Sequence, residues 1–202
     1  MPEKRTTQLR LDPRSPFVLD TRELGRRPGT MRKVRRSAPA PAGFGLELIG
    51  VPEGAPLDLD LRLEAVSEGV LVSGTVTAPV GGECGRCLDP IDDVVVVDVQ
   101  ELFAYPDSTT DSTASEEEVG RLQGDLVDLE PTVRDAVVLA LPSTPLCRDE
   151  CPGLCPECGA RLDSVPAGHS HEQVDPRWDA LRQLSEQEHA SPANEPADES
   201  QE

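Results

Sequence analysis

Three stretches between residues 57 and 103 alternate apolar and polar side chains with a period of two, and nothing else in the chain limits its fold as tightly. Residues 57–65 (LDLDLRLEA) put Leu57, Leu59, Leu61 and Leu63 on one face. Residues 70–78 put Val70, Val72, Val76 and Ala78 on one side, and residues 93–103 (DVVVVDVQELF) do the same with Val95, Val97, Val99 and Phe103. A period of two is that of a strand with one buried face. Ser67, Glu68 and Gly69 form the turn of a hairpin between the first two strands. The third strand follows a tight turn, Gly81–Pro90, that carries Cys84 and Cys87. An antiparallel meander is the simplest arrangement.

The period then changes. In residues 126–141 (LVDLEPTVRDAVVLAL), Leu126, Leu129, Val133, Val137 and Leu141 fall on one helical stripe. Pro131 suits the first turn, and Pro142 and Pro145 end the helix. Asp20 with Glu23 reads as a capping box for a short helix stopped by Gly25 and Pro28-Gly29. Residues 32–42 read as a loop. Asp175 caps a last helix through Leu184, with Pro176 at its first position. The expected fold class is α+β: an antiparallel meander, one packed helix and a C-terminal zinc-knuckle segment. The expected organisation is a flexible arm over 1–16, one domain over 17–184 and an acidic disordered tail over 185–202. Within the domain lie a basic segment (17–56), the sheet (57–106), an acidic loop (107–120), the helix (121–145) and a Cys-rich segment with the last helix (146–184).

Charge divides the chain. The net charge is −19, yet residues 1–36 hold eleven Lys and Arg against four Asp and Glu. The remainder holds eight Arg against thirty-four Asp and Glu. An acidic body is repelled by nucleic acid, so any contact with phosphate falls to the basic segment. Arg22, Arg26, Arg27, Arg32, Lys33, Arg35 and Arg36 crowd into fifteen residues and are the candidate RNA contacts. The alternative is that they pair within the chain with the acidic sheet. Aromatics are 2% of residues, which excludes an RNA surface built on stacked rings. The longest apolar run, Ala136–Leu141, is far too short to span a membrane. The N-terminus is basic with no apolar stretch behind it, so no secretory signal is expected, and the expected location is cytoplasmic.

Six cysteines without a secretory signal read as metal ligands or redox thiols. Cys155-Pro156-Glu157-Cys158 and Cys84-Gly85-Arg86-Cys87 each bring two thiolates to one ion from a single turn. Three residues separate Cys147 from Cys151, and ten separate Cys158 from His169-Ser170-His171. Eight donors suffice for two tetrahedral zinc sites. One partition joins Cys155, Cys158, His169 and His171 in a local knuckle, and Cys84, Cys87, Cys147 and Cys151 in a clamp between the sheet and the post-helix segment. The other is a single site of Cys147, Cys151, Cys155 and Cys158. Closed four-donor sites leave no position for water, so the zinc is structural rather than catalytic. The metalloprotease HExxH motif, the deaminase motif order and Gly-rich phosphate loops are absent, and no small-molecule substrate is expected. A dithiol of the thioredoxin type fits poorly, because Pro90 and a strand follow Cys87 where a helix N-terminus would lower the thiol pKa.

The motifs RELGRRPG (22–29), GECGRCL (82–88), GDLVDLEP (124–131), Ala140-Leu141-Pro142, Pro145-Leu146-Cys147, GLCPECG (153–159) and Asp175-Pro176-Arg177 together resemble the bacterial YceD family, in its actinobacterial form. The resemblance covers roughly residues 17–184. It implies a non-enzymatic role in the accumulation of large-subunit ribosomal RNA and in assembly of that subunit. The implied partners are that RNA or a precursor particle, and a basic ribosomal protein. Many members carry Cys-x-Cys where this chain has His169-Ser170-His171, which keeps tetrahedral chemistry available. Two other functions stay open on the residues alone: a zinc-thiolate redox sensor that loses metal on oxidation, and a general zinc-stabilised interaction module.

Overall fold

The computed structural model describes residues 10–108 and 120–171. The chain divides into two compact units, Met1–Gly153 and Leu154–Glu202. The first unit is mostly antiparallel sheet with one helix. Its elements in chain order are β1 (Val18–Asp20), β2 (Met31–Pro39), β3 (Ile49–Gly50), β4 (Pro56–Ala65), β5 (Gly69–Glu83), β6 (Pro90–Ala104), β7 (Leu126–Asp128) and α1 (Glu130–Ala140).

The expected meander is β4, β5 and β6. β4 pairs antiparallel with β5 from Asp58↔Thr77 to Ala65↔Val70, and β5 pairs with β6 over fifteen residues from Gly69↔Ala104 to Glu83↔Pro90. The alternation works as the pattern requires. Leu57, Leu59, Leu61 and Leu63 are buried, while Asp58, Asp60 and Arg62 between them are exposed. Each leucine contributes about 1.5–3 kcal/mol of burial, so β4 alone anchors one face of the sheet. Gly74, at φ +153, sits where a side chain would run into the Asp60 carbonyl, and this allows β4 and β5 to close at mid-strand.

Four expectations change. Residues 32–36 are not a loop: β2 adds a strand to the sheet, pairing with β4 from Met31↔Glu64 to Pro39↔Pro56. The inward positions of β2 carry Arg32 and Arg36 as well as Val34. Arg36 reaches the carbonyls of Pro16 (2.9 Å) and Val18 (3.1 Å), and Arg32 reaches that of Asp20 (3.3 Å). The guanidiniums thus satisfy backbone oxygens while their stems cover apolar surface, which permits a strand without an apolar stripe. Asp20 caps no helix; it ends β1, and its carboxylate accepts the Arg22 N–H at 2.9 Å in an Asx turn. The expected helix over 126–141 begins only at Glu130. Leu126–Asp128 is instead β7, antiparallel to β1, with Val127 fully buried. Finally, the arm is tied down before residue 16. The Leu11 N–H donates to Gln123 Oε1 (3.0 Å), and Phe17 is 1% exposed against Phe44. Residues 1–9, most of the expected acidic loop, and the expected last helix and tail lie outside the described residues.

α1 carries Pro131 in its first turn and buries Val133 and Val137. Arg134 joins the helix to the loop before β3, donating to the Gly43 carbonyl at 2.7 Å and lying 4.4 Å over the Phe44 ring. The chain leaves α1 at Leu141 and runs through Pro145, which is fully buried, to the cysteine segment. No helix among the described residues is long and apolar enough to cross a membrane.

Candidate metal centres and a basic strand

The turn between β5 and β6 brings Cys84 and Cys87 to the end of the sheet. The Leu88 N–H closes it onto the Cys84 carbonyl at 2.9 Å, and the Cys84 N–H bonds the Asp89 carbonyl at 2.8 Å. The segment after α1 docks against this turn. Gly85 N–H donates to the Pro145 carbonyl (2.8 Å), and Arg86 Nη1 donates to the Cys151 carbonyl (2.9 Å). These bonds carry Cys147 and Cys151 to the same point. The four sulfurs lie within 4.8 Å of one another, with Cys84–Cys151 at 3.8 Å and Cys87–Cys147 at 3.6 Å.

The donor set fits zinc. Four sulfurs at a Zn–S distance of about 2.3 Å define a tetrahedron with edges of about 3.8 Å, which matches both separations. Disulfides would need about 2.05 Å, and all six cysteines are free. The electrostatics of the thiols are uneven. Burial raises the Cys84 thiol, but main-chain N–H groups of Cys147, Cys87 and Arg86 aimed at its sulfur outweigh burial and lower it from 9.0 to about 6. The Asp89 N–H favours the Cys87 thiolate, but burial and the neighbouring sulfurs carry that thiol up to about 12. Hydrogen bonding from Cys87 works to lower Cys147, but burial and the Cys151 and Cys84 sulfurs raise it. A lowered thiol at Cys84 beside raised ones at Cys87 and Cys147 means that a cation bound here would displace protons.

The second unit builds a more local cluster. Gly159 N–H closes Cys155–Cys158 onto the Cys155 carbonyl at 2.9 Å, and the Cys155 N–H bonds the Ala160 carbonyl at 2.8 Å. A turn held by His169 N–H on the Pro166 carbonyl (3.1 Å) then returns two histidines. Cys158 Sγ lies 3.4 Å from His169 Nε2, which lies 3.0 Å from His171 Nε2. Cys155, Cys158, His169 and His171 all offer donors within 4.8 Å. A tetrahedral Zn(Cys)2(His)2 centre has N···N edges of about 3.3 Å, close to this arrangement. Main-chain N–H groups of Cys158 and Glu157 lower the Cys155 thiol despite its burial. Both clusters can hold a metal ion. The structure brings the eight donors together as two sets of four, each within one unit.

The seven basic candidates divide by what they already hold. Arg22 pairs with Asp20 at 3.0 Å, Arg26 with Asp107 at 3.2 Å and Arg35 with Asp60 at 2.9 Å. Arg26 also lies 4.5 Å over the Tyr105 ring. Arg32 pairs with Glu23 at 3.3 Å and, with Arg36, braces the backbone of β1. A cleft of about 330 Å³ opens between them, lined by Arg22, Arg32, Arg36, Asp20 and Glu23. Arg27 and Lys33 are exposed and have no ion pair among the described residues. β2 is an edge strand. The brace made by Arg32 and Arg36 was not legible in the composition of the segment, because nothing in a run of arginines says which tips reach carbonyl oxygens.

Known proteins place the chain. It is 56% identical over 170 residues to the uncharacterized protein Rv2926c of Mycobacterium tuberculosis H37Rv, covering 84% of this chain and 82% of that protein. It is 48% identical to the uncharacterized protein ML1660 of Mycobacterium leprae, over 84% and 78% of the two chains. The uncharacterized protein YlbN of Bacillus subtilis is 27% identical over 133 residues, 65% of this chain and 73% of that one. No solved structure matches. The profile of the family described as large ribosomal RNA subunit accumulation protein YceD matches residues 72–185, a span that takes in β6, α1 and all eight donors, and the chain belongs to that family.

Proposed function

We propose that this protein is a non-enzymatic, cytoplasmic factor for accumulation of large-subunit ribosomal RNA, acting on the RNA or a precursor particle during assembly of that subunit. The family match over residues 72–185 carries the reading. In it, zinc held by Cys84, Cys87, Cys147 and Cys151, and a second zinc held by Cys155, Cys158, His169 and His171, are structural. Each ion would supply cross-links between chain segments and no reaction step. RNA contact falls to Arg22, Arg26, Arg27, Lys33 and Arg35, with Arg32 and Arg36 chiefly bracing β1 against β2.

The existing ion pairs do not prevent this. Arg35 is 79% exposed and Arg22 69% exposed, and exposed pairs contribute about 0–1 kcal/mol. Such an arginine exchanges a carboxylate for a phosphate at little cost. The test is crosslinking of the tagged full-length chain to RNA in lysate, followed by sedimentation with precursor particles. Arg27, Lys33 and Arg35 replaced together by Ser should flatten the salt dependence of RNA binding by about three phosphate contacts, with zinc content unchanged. Arg36→Ser should instead lower the melting temperature, through the carbonyls it leaves bare. If the triple variant binds precursors as the parent does, the RNA assignment falls.

A further inference from the structure

We infer that the open edge of β6 takes an extended, basic segment of a protein partner as an added strand. β6 pairs with β5 along one side for its whole length. On the other side, main-chain partners among the described residues are confined to Ala104, which bonds Gly120 and Leu122. One hydrogen bond gives the phase of the open edge. The Val94 N–H donates at 2.7 Å to the carboxylate of Asp93 and so stands outside the ladder to β5. An antiparallel strand residue turns its N–H and C=O to the same side, and its neighbours turn theirs to the other. Val94, Val96 and Asp98 therefore present their main-chain groups outward.

The side chains at this edge are also uncommitted. Val94 is 57% exposed and Val96 64% exposed. Asp92 and Asp98 are exposed and have no ion pair among the described residues. An open edge bearing exposed valines is a template for strand addition. Charge selects the occupant. Residues 89–104 contain no Lys or Arg, and Asp92, Asp93 and Asp98 bracket the valines. A second copy laid antiparallel on Val94–Asp98 would set Asp98 opposite Val94 and diagonal to Asp92 of the other copy, with no cation on either strand, and like charges across strands are destabilising. A segment that interleaves Lys or Arg with apolar residues pairs its main chain with Val94–Asp98 and its cations with the aspartates. This inference does not rest on the RNA reading. It concerns a different edge and a protein ligand, and either can fail alone.

The test uses the full-length chain with two twelve-residue fluorescent peptides, one alternating Lys and Val, the other Glu and Val. The Lys–Val peptide should slow amide exchange at Val94, Val96 and Asp98 about tenfold or more, and the Glu–Val peptide should not. Val96→Pro removes one outward N–H and leaves the β5 ladder whole; it should weaken the Lys–Val peptide about tenfold and leave RNA binding unchanged. Should that variant fold poorly, Val96→Lys, at an exposed position, repels the same peptide and serves in its place. Unchanged exchange at the three amides with the Lys–Val peptide overturns the inference, as does equal binding of the Glu–Val peptide. Protection that rises with protein concentration alone, with a dimer in sedimentation, assigns the edge to a second copy and also overturns it.

Discussion

Cys84 and Cys155 each begin a Cys-x-x-Cys turn closed by the same 2.9 Å bond, from the N–H of Leu88 and of Gly159 to the first cysteine's carbonyl. The two turns recruit their other donors over very different distances. Cys84 meets Cys151 from 67 residues away, across β6, β7 and α1, whereas Cys155 and His171 lie within one short segment. The first set is mostly buried, with Cys84 at 0% and Cys151 at 2% exposure, and the second mostly open, with Cys158 and His171 exposed. The same turn therefore does two jobs. In the first unit it would close a long loop onto the core, and in the second it would create order in a segment too small to bury a core of its own.

That difference predicts unequal consequences of losing a ligand. Cys84→Ser or Cys151→Ser should release one zinc and destabilise the sheet unit by about 4 kcal/mol or more, since loss of a structural metal belongs to the severe class of substitutions. At about 2–4 °C per kcal/mol this is a fall of roughly 10 °C in Tm, read by calorimetry alongside metal analysis. A variant that keeps the parent Tm and zinc content sinks the clamp.

Cys158→Ser and His169→Ala should act next most strongly, but locally. Zinc content should drop by one ion and the sheet unit should melt as before, within about 0.5 kcal/mol. Exchange protection at Cys155 and Gly159, whose N–H groups bond within the knuckle, should collapse. Equal falls in Tm for Cys84→Ser and His169→Ala would show that the contrast between the clusters is illusory.

The pH dependence of metal uptake separates them further. In the first cluster Cys84 is held at about 6, and so is already a thiolate at pH 7, whereas Cys87 at about 12 and the raised Cys147 still carry protons. Zinc binding must expel at least those two protons, so affinity should fall about a hundredfold or more per unit drop in pH near 7. In the second cluster Cys155 is lowered, so its own proton is a smaller obstacle. Titration calorimetry of the metal-free chain in buffers of different ionisation enthalpy counts the protons. Fewer than one released at the first cluster would contradict the thiol assignment.

The donors and the strands were legible to different degrees for physical reasons. β4, β5 and β6 bury one face and wet the other, so their pattern survives in the sequence. β2 does not read as a strand because Arg32 and Arg36 occupy inward positions, where their stems and hydrogen bonds replace apolar side chains. Leu126 falls on the α1 stripe by coincidence of spacing, and only the fully buried Val127 marks that stretch as β7. Cys-x-x-Cys spacing announces a ligand pair without naming its mate. The mate follows from Gly85 and Arg86 holding the chain from Pro145 to Cys151, a tertiary fact with no local signature.

The smallest effect lies at the residue after each second cysteine. Gly159 stands at φ +68 and Leu88 at φ +62, both in the left-handed region that the closing hydrogen bond demands. Glycine reaches that region freely, while a branched side chain there costs about 1–2 kcal/mol. Leu88 is also 58% exposed, so its side chain recovers little by burial. Leu88→Gly should then stabilise the sheet unit by about 0.5–1 kcal/mol, after the greater backbone entropy that glycine loses on folding is deducted. Gly159→Ala should weaken the second knuckle by a similar amount, with nothing within 4 Å of the added carbon to oppose it. Paired melts at fixed free zinc measure both. If Leu88→Gly instead lowers Tm, the leucine is held by packing that outweighs its strain, and the equivalence of the two turns fails at the one position where their residues differ most.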